Sequence, residues 1–126
     1  MNNASFENEY AKFWLEAGIV YFVYKPNTSL DLHAAKQIVA DRIKFQKQVD
    51  YPVYCDIREM KKADKEARDF LAKEGSSYTK GVAIIVDSPM TKIIGNFYLG
   101  LNKPTTPTKM FTDKREALEY LNQLIG

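Results

Sequence analysis

The 126-residue chain has little of the two side chains that most often carry chemistry, with one cysteine, Cys55, and one histidine, His33. A single cysteine cannot form a disulfide or a thiolate metal cluster within the chain, and it fits a reducing compartment. A single histidine excludes multi-histidine metal sites and leaves imidazole acid-base chemistry without support. We therefore expect no catalytic residue, no metal and no cofactor.

Long apolar runs and an excess of one charge are also missing. No run approaches the roughly 20 residues of a membrane span, and residues 1–9 are polar and acidic, unlike a secretory leader, so we expect a cytoplasmic protein. Lys plus Arg number 18 against 16 Asp plus Glu. Within residues 36–73, ten basic and seven acidic side chains are interspersed. This balance argues against a nucleic-acid partner.

The first third of the chain predicts a β-hairpin followed by a helix. Aromatic and β-branched residues fill residues 10–16 and 19–25, with a tight turn at Ala17 and Gly18 between them. Residues 26–29 are expected to break the second strand. Helical spacing of apolar residues then runs from residue 31 to about 48. Its predicted core stripe is Leu32, Ala35, Ile38, Val39 and Ile43.

Two unbroken apolar runs, residues 53–57 and 81–86, predict strands that are covered on both faces. We place the second run at the centre of the sheet. Between them, Asp64 is a suitable N-cap for a helix over residues 65–74.

The remaining chain predicts two more helices and a short strand. Ser88 followed by Pro89 begins a third helix, and residues 109–111 form a brief strand. Asp113, with Glu116 three residues later, begins the last helix in the manner of a capping box. The side chains predicted to be buried in that helix are Ala117, Leu118, Leu121, Leu124 and Ile125.

The element order is ββαβαβαβα, which predicts a single α/β domain over residues 1–126. We expect a mixed, mostly parallel sheet of about five strands, with an N-terminal β-hairpin and four flanking helices. Ligands and partners tend to meet such a sheet at the carboxyl ends of its strands. The residues expected at that edge are Asp56, Arg58, Asp64, Lys65, Asp87, Ser88, Thr112 and Asp113.

The third helix is apolar nearly all round. Its predicted core stripe is Met90, Ile93, Ile94, Phe97 and Leu101. Tyr98 and Leu99 are also apolar, which leaves Thr91, Lys92 and Asn96 as the polar face. Such a helix is covered by a second copy of the chain, by an apolar ligand, or by the loop over residues 103–108, and the pattern leaves all three open. The predicted dimer or ligand surface is Met90, Ile94, Phe97, Tyr98 and Leu99.

Two enzyme-like constellations have simpler structural explanations. Asp56, Ser88 and Lys109 resemble the acid, hydroxyl and amine of a phosphoryl-accepting receiver domain, but the carboxylates that would hold magnesium after the first strand are missing. Cys55 lies within an apolar strand and is expected to be a structural thiol, and His33 at a helix start is expected to be solvated. We predict that the protein is not an enzyme.

The strand order, the length, and the run Tyr54-Cys55-Asp56-Ile57 followed by Asp64 at a helix start resemble the STAS domain of SpoIIAA-like anti-sigma-factor antagonists. The stretches at residues 51–53, 56–58, 64–68 and 92–97 are similar to uncharacterised bacterial STAS and SEC14-type proteins. In the antagonists, a phosphorylatable serine follows an aspartate at the start of this helix. Matching that aspartate to Asp64 places Lys65 and Glu66 at the serine position and the next. The resemblance thus implies a docking surface without the kinase-switched cycle.

Our leading hypothesis is a non-catalytic regulatory module that recognises a protein partner. The residues predicted to bind that partner are Asp56, Arg58, Asp64, Lys65 and Arg68. The third helix is predicted to form a homodimer. The alternative is a carrier or sensor of a small apolar or lipid-like molecule, in a cavity lined by Trp14, Phe22, Met90, Phe97 or Tyr98.

Overall fold

A computed structural model describes residues 4–102 and 106–125, with side chains outside residues 97–102. These residues contain eight strands and four helices. The strands are β1 (Ser5–Glu7), β2 (Ala11–Glu16), β3 (Ile19–Tyr24), β4 (Thr28–Leu30), β5 (Tyr51–Asp56), β6 (Met60–Ala63), β7 (Thr79–Ile85) and β8 (Thr108–Phe111). The helices are α1 (Leu32–Gln46), α2 (Lys65–Glu74), α3 (Pro89–Asn102) and α4 (Lys114–Asn122). Within the described ranges, no helix is both long enough and apolar enough to cross a bilayer.

Six strands form one mixed sheet in the order β1-β2-β3-β5-β7-β8. The pairs β1/β2 and β2/β3 are antiparallel and the remaining three pairs are parallel, so the predicted mixed α/β sheet with four helices is confirmed. The sheet has six strands because residues before the hairpin add an edge strand. The middle is formed by β3 and β5, and β7 lies beside the edge strand β8, which corrects the central place predicted for residues 81–86.

The two remaining strands, β4 and β6, form a separate parallel ribbon. Residues 26–29 were predicted only to break a strand, but Thr28 to Leu30 pair with β6. This pairing joins segments about thirty positions apart in the sequence, a non-local contact that local residue patterns do not reveal.

The N-terminal hairpin forms as predicted, in register from Ala11 opposite Tyr24 to Glu16 opposite Ile19. Ala17 and Gly18 form its two-residue turn with φ of 52° and 81°. Positive φ at both positions gives the turn the twist that antiparallel strands prefer.

Helices cover the two faces of the sheet unequally. One face packs against α1, α2 and α3, with Phe13, Phe22 and Val53 contributed by the sheet and Ile38 by α1. The opposite face packs against α4. Ala117 and Leu121 of α4 are fully buried there, in one cluster with the sheet residues Ile19, Tyr21, Tyr54 and Ile85. Ile125, predicted to be buried, lies beyond the end of α4 and is 42% exposed.

Side chains cap three of the helices, at the predicted residues Ser88 and Asp113 and at Asp31, which was not predicted as a cap. Asp31 Oδ1 accepts a hydrogen bond from Ala34 N (2.8 Å), Ser88 Oγ accepts one from Thr91 N (3.1 Å), and Asp113 Oδ1 accepts one from Arg115 N (2.8 Å). Asp64 precedes α2 as predicted, but its carboxylate makes no capping hydrogen bond with the described part of that helix.

The end of α1 carries a buried polar cluster that the apolar stripe did not predict. Arg42 Nη2 donates to Gly75 O (2.9 Å) and Ser77 O (3.0 Å), and Arg42 Nη1 donates to Gln46. Gln46 Nε2 donates in turn to Tyr78 O (2.8 Å). These bonds bury Arg42 and Gln46, whereas Leu32 and Ile43 are only half-buried. The cluster joins the end of α1 to the loop after α2.

The orientation of α3 corrects the predicted core stripe. Thr91, assigned to the polar face, is buried because its hydroxyl accepts hydrogen bonds from Asp87 N and Ser88 N, each at 3.1 Å. Gly95, one turn later, is also buried, and a Cβ there would lie 2.4 Å from Met110 Sδ. With Thr91 and Gly95 facing inward, Met90 and Ile93 face solvent, each 55% exposed.

Candidate functional site

The carboxyl end of β5 carries a tight ion pair between Asp56 and Arg58. Asp56 Oδ1 accepts from Arg58 N and Nε, both at 3.0 Å, and Oδ2 accepts from Nη2 at 2.7 Å. These hydrogen bonds, more than any other interaction, raise the pKa of Arg58. Asp56 is buried while the Arg58 side chain is 47% exposed. The carboxylate therefore orients a guanidinium whose charge remains available at the surface.

Neighbouring residues at this edge are engaged in local structure. Ser88 begins α3, and the negative charge of Asp87 contributes to the raised pKa of Arg58. Lys109 Nζ lies 5.5 Å from the centroid of the Phe111 ring. Across the described ranges, no group of three His, Cys, Asp or Glu side chains is placed to hold a metal ion.

The other predicted partner-binding residues lie at the start of α2, apart from this ion pair. Asp64 is exposed at the helix start, and Lys65 Nζ pairs with Asp69 Oδ2 at 2.7 Å. Arg68 is half-buried and its Nη1 donates to Ala63 O at 2.5 Å. The structure thus pairs Asp56 with Arg58 and Lys65 with Asp69, and it directs Arg68 towards β6.

Arg68 lines a surface depression between β6 and α3, which we call the β6–α3 groove. Its lining is Lys61, Lys62, Ala63, Arg68, Met90, Ile93 and Ile94. The groove combines Arg68 from the predicted partner surface with Met90 and Ile94 from the predicted α3 surface. The side chains of Phe97, Tyr98 and Leu99, predicted for the same α3 surface, lie outside those that the structure describes.

Sequence reasoning missed Lys61 and Lys62 as site residues. Both lie on β6, a four-residue strand that shows no alternation of apolar and polar residues, and both are exposed. The available signal was the adjacent lysine pair in a chain whose charges are otherwise balanced.

Beneath the groove lies a cavity of about 100 Å³, the core cavity, between the sheet and the three helices on that face. Its apolar wall includes Phe22, Val39, Val53, Ile57, Leu71 and Ile84. Of the residues predicted to line a cavity, Phe22 does so and Met90 lies in the groove. Trp14 lies on the other face of the sheet, stacked on Tyr21 with 5.3 Å between ring centroids. Trp14 pairs directly with Tyr21 on the neighbouring strand, so the two side chains lie on the same face of the sheet, the one that packs against α4.

The family model for a domain of unknown function, DUF7793, matches residues 13–125. The chain belongs to the DUF7793 family. A crystal structure of an uncharacterized protein from the DUF3478 family, described as having a SpoIIAA-like fold and coming from Shewanella loihica PV-4, is similar over 95% of this chain and 92% of its own. The identity is 17% and the TM-score 0.51. That likeness supports the SpoIIAA-like fold expected from the sequence.

A protein of unknown function from Arthrobacter sp. FB24 is 20% identical over 87% of this chain and 97% of its own, with a TM-score of 0.34. No curated protein matches the chain. The DUF7793 match includes every residue of the β6–α3 groove and of the core cavity.

The thiol and the imidazole of this DUF7793 domain are not arranged as a nucleophile and its base. Cys55 lines the core cavity, and its apolar surroundings raise the pKa of the thiol to about 12. It is therefore protonated at neutral pH. His33 is exposed in the first turn of α1. The described side chains place a cationic groove beside an apolar cavity.

Proposed function

We propose that this DUF7793 domain is a non-catalytic regulatory module that binds a partner protein in the β6–α3 groove. The observation that carries the proposal is the exposure of Met90 and Ile93, 55% each, beside Lys61 and Lys62. Large apolar side chains held in solvent next to a polar rim are typical of interaction sites. The SpoIIAA-like fold adds support, because the antagonists that the sequence resembles act by binding proteins.

The occupant we propose is a segment that presents apolar side chains flanked by carboxylates. Apolar groups would cover Met90 and Ile93, and carboxylates would pair with Lys61 and Lys62 at the rim. A second copy of the chain is a poorer fit to this groove. A symmetric dimer places the same patch on both sides, so one positively charged patch would meet another, and this juxtaposition of like charge opposes association.

Selection from a random-peptide display library tests this proposal. We expect the enriched peptides to place Asp or Glu beside apolar residues, and to lose binding when Lys61→Glu and Lys62→Glu are combined. The matched control combines Lys114→Glu with Arg115→Glu on α4, across the sheet from the groove. Enriched peptides that bind the two double variants equally would refute the groove as the docking site.

Sedimentation of the purified protein decides between a partner and self-association. We expect a monomer over a wide concentration range. A dimer that Met90→Glu dissociates would show that the occupant is a second copy, and it would overturn the proposal of an acidic partner.

The predicted edge around Asp56, Arg58, Asp64 and Lys65 is a further part of the same proposal. Arg58 is its best-placed contact, because Asp56 fixes the guanidinium while leaving it exposed. If the edge extends the docking surface, Arg58→Ala weakens the selected peptides, with Arg115→Ala as the matched control. Peptide affinities that Arg58→Ala leaves unchanged would restrict the docking surface to the groove.

The second candidate function is a carrier or sensor of a small apolar molecule. The specific observation in its favour is the core cavity, whose volume is about 100 Å³ and whose wall is almost entirely apolar. A ligand retained through gentle purification and seen by native mass spectrometry would support this function.

A further inference from the structure

The β6–α3 groove and the core cavity meet at three residues. Ala63, Arg68 and Ile94 belong to the lining of both. Arg68 therefore lies at the junction, where the lining of the groove meets the lining of the cavity.

The two spaces differ in chemistry. The wall of the core cavity is formed by aliphatic and aromatic side chains, with Arg42 and Thr79 at its far end. Arg42 is bonded there to the carbonyl oxygens of Gly75 and Ser77, and Thr79 Oγ1 to that of Ser76. On the groove side, Lys61 and Lys62 add positive charge near Arg68. The lining thus changes from cationic in the groove to apolar in the cavity.

A half-buried guanidinium at this junction attracts an anion more strongly than an exposed lysine does, because less water screens the charge. An engineered apolar cavity of roughly 150 Å³ accepts the six carbons of benzene. By the same proportion, about 100 Å³ accommodates roughly four carbons.

We propose that this DUF7793 domain binds a short-chain carboxylate, with an apolar tail of about four carbons in the core cavity and the carboxylate on Arg68. The inference rests on the carrier function proposed above and names its ligand class. Lys62, at the groove side of the junction, contributes attraction at longer range.

Pentanoate is the probe that matches this size. Titration of the isotope-labelled full chain, followed by amide and methyl NMR shifts, is expected to give saturable shifts at residues around the core cavity. Each buried methylene strengthens affinity about fourfold, so acetate, with three fewer methylenes, is expected to bind roughly 60-fold more weakly. The neutral 1-pentanol is expected to bind at least about tenfold more weakly than pentanoate, because it cannot form a charge-assisted hydrogen bond.

Two variants locate the carboxylate and the tail. Arg68→Gln is expected to weaken pentanoate at least about tenfold while leaving 1-pentanol nearly unchanged, with Arg115→Gln on α4 as the matched control. Ile94→Trp is expected to obstruct the junction and weaken both probes. Circular dichroism and the NMR spectrum of each variant establish that it is folded. Because Ile94→Trp can fail to fold, the comparison of pentanoate with 1-pentanol in Arg68→Gln is decisive by itself.

Equal affinities for pentanoate and 1-pentanol, or a pentanoate affinity that Arg68→Gln leaves unchanged, would overturn the assignment of Arg68. Pentanoate shifts that do not saturate, or that map away from the core cavity, would overturn the proposed site. Saturable 1-pentanol shifts around the core cavity would in that case leave the carrier function standing, whereas failure of both probes would count against it as well. These titrations contain no partner protein, so their outcome does not depend on whether the peptide selection succeeds.

Discussion

The thiol of Cys55 gives a quantitative test of how far the apolar wall of the core cavity keeps the thiol from being hydrated. Burial is the largest cause that raises the pKa of this thiol, from 9.0 to about 12. Above pH 9 the unfolded chain loses the thiol proton while the folded chain retains it. The unfolded state then binds fewer protons, so the free energy of unfolding falls as the pH rises.

The magnitude follows from the size of the shift. Each pKa unit corresponds to about 1.4 kcal/mol. The contribution of Cys55 to the free energy of unfolding therefore falls by about 1.4 kcal/mol for each pH unit above 9, until the folded thiol itself ionises near pH 12. At pH 10.5 the loss attributable to this thiol is therefore about 2 kcal/mol. Cys55→Ala removes the titrating group, at a packing cost of about 1 kcal/mol that is independent of pH.

Urea unfolding of the wild type and of Cys55→Ala between pH 7.5 and about 10.5 measures the effect. Buried tyrosines such as Tyr21 and Tyr54 also have raised pKa values, but they are present in both proteins and cancel in the difference. We expect the wild type to be the more stable at pH 7.5 and to lose that advantage as the pH rises. Parallel stability curves across this range would show that water solvates the thiol, and they would refute its desolvation by the apolar wall.

Three further predictions concern stability, each measured by urea unfolding at pH 7.5. Arg42→Met should cost about 3 kcal/mol or more, because it leaves buried carbonyl oxygens without their charged donor; a loss below about 1 kcal/mol would contradict that role. Gly18→Ala should cost about 1 kcal/mol, because its φ of 81° is strained for alanine, and an unchanged midpoint would disprove this. Asp31→Ala should cost about 1 kcal/mol and Asp64→Ala less, since only Asp31 caps its helix; equal losses would argue against the assignment.

Features encoded by local residue patterns could be predicted from the sequence. The hairpin turn at Ala17 and Gly18 follows from two strand-like segments separated by two residues, of which Gly18 readily adopts the positive φ that the turn requires. The start of α2 after Asp64 and of α3 after Ser88 follow from residue preferences at helix ends. The ends of these elements depend on neighbours in the sequence, and the structure places them close to the predicted positions.

Features that depend on contacts between distant segments could not be predicted. Helical spacing alone rotates α3 so that Met90 and Ile93 enter the core, whereas the hydrogen bonds of Thr91 and the close contact of Gly95 with Met110 fix the opposite orientation. The β6–α3 groove depends on that orientation and on the pairing of β6 with β4. The candidate site was therefore predicted only in part, through Arg68, Met90 and Ile94.

The most direct test of the central claim is the dissociation constant of one selected acidic, apolar peptide for three proteins at two salt concentrations. We expect the wild type and the double control Lys114→Glu and Arg115→Glu to bind alike, with affinity that falls as salt rises. Lys61→Glu combined with Lys62→Glu should bind at least about tenfold more weakly. Equal dissociation constants for the wild type and this groove variant would contradict the claim that the β6–α3 groove is the docking surface.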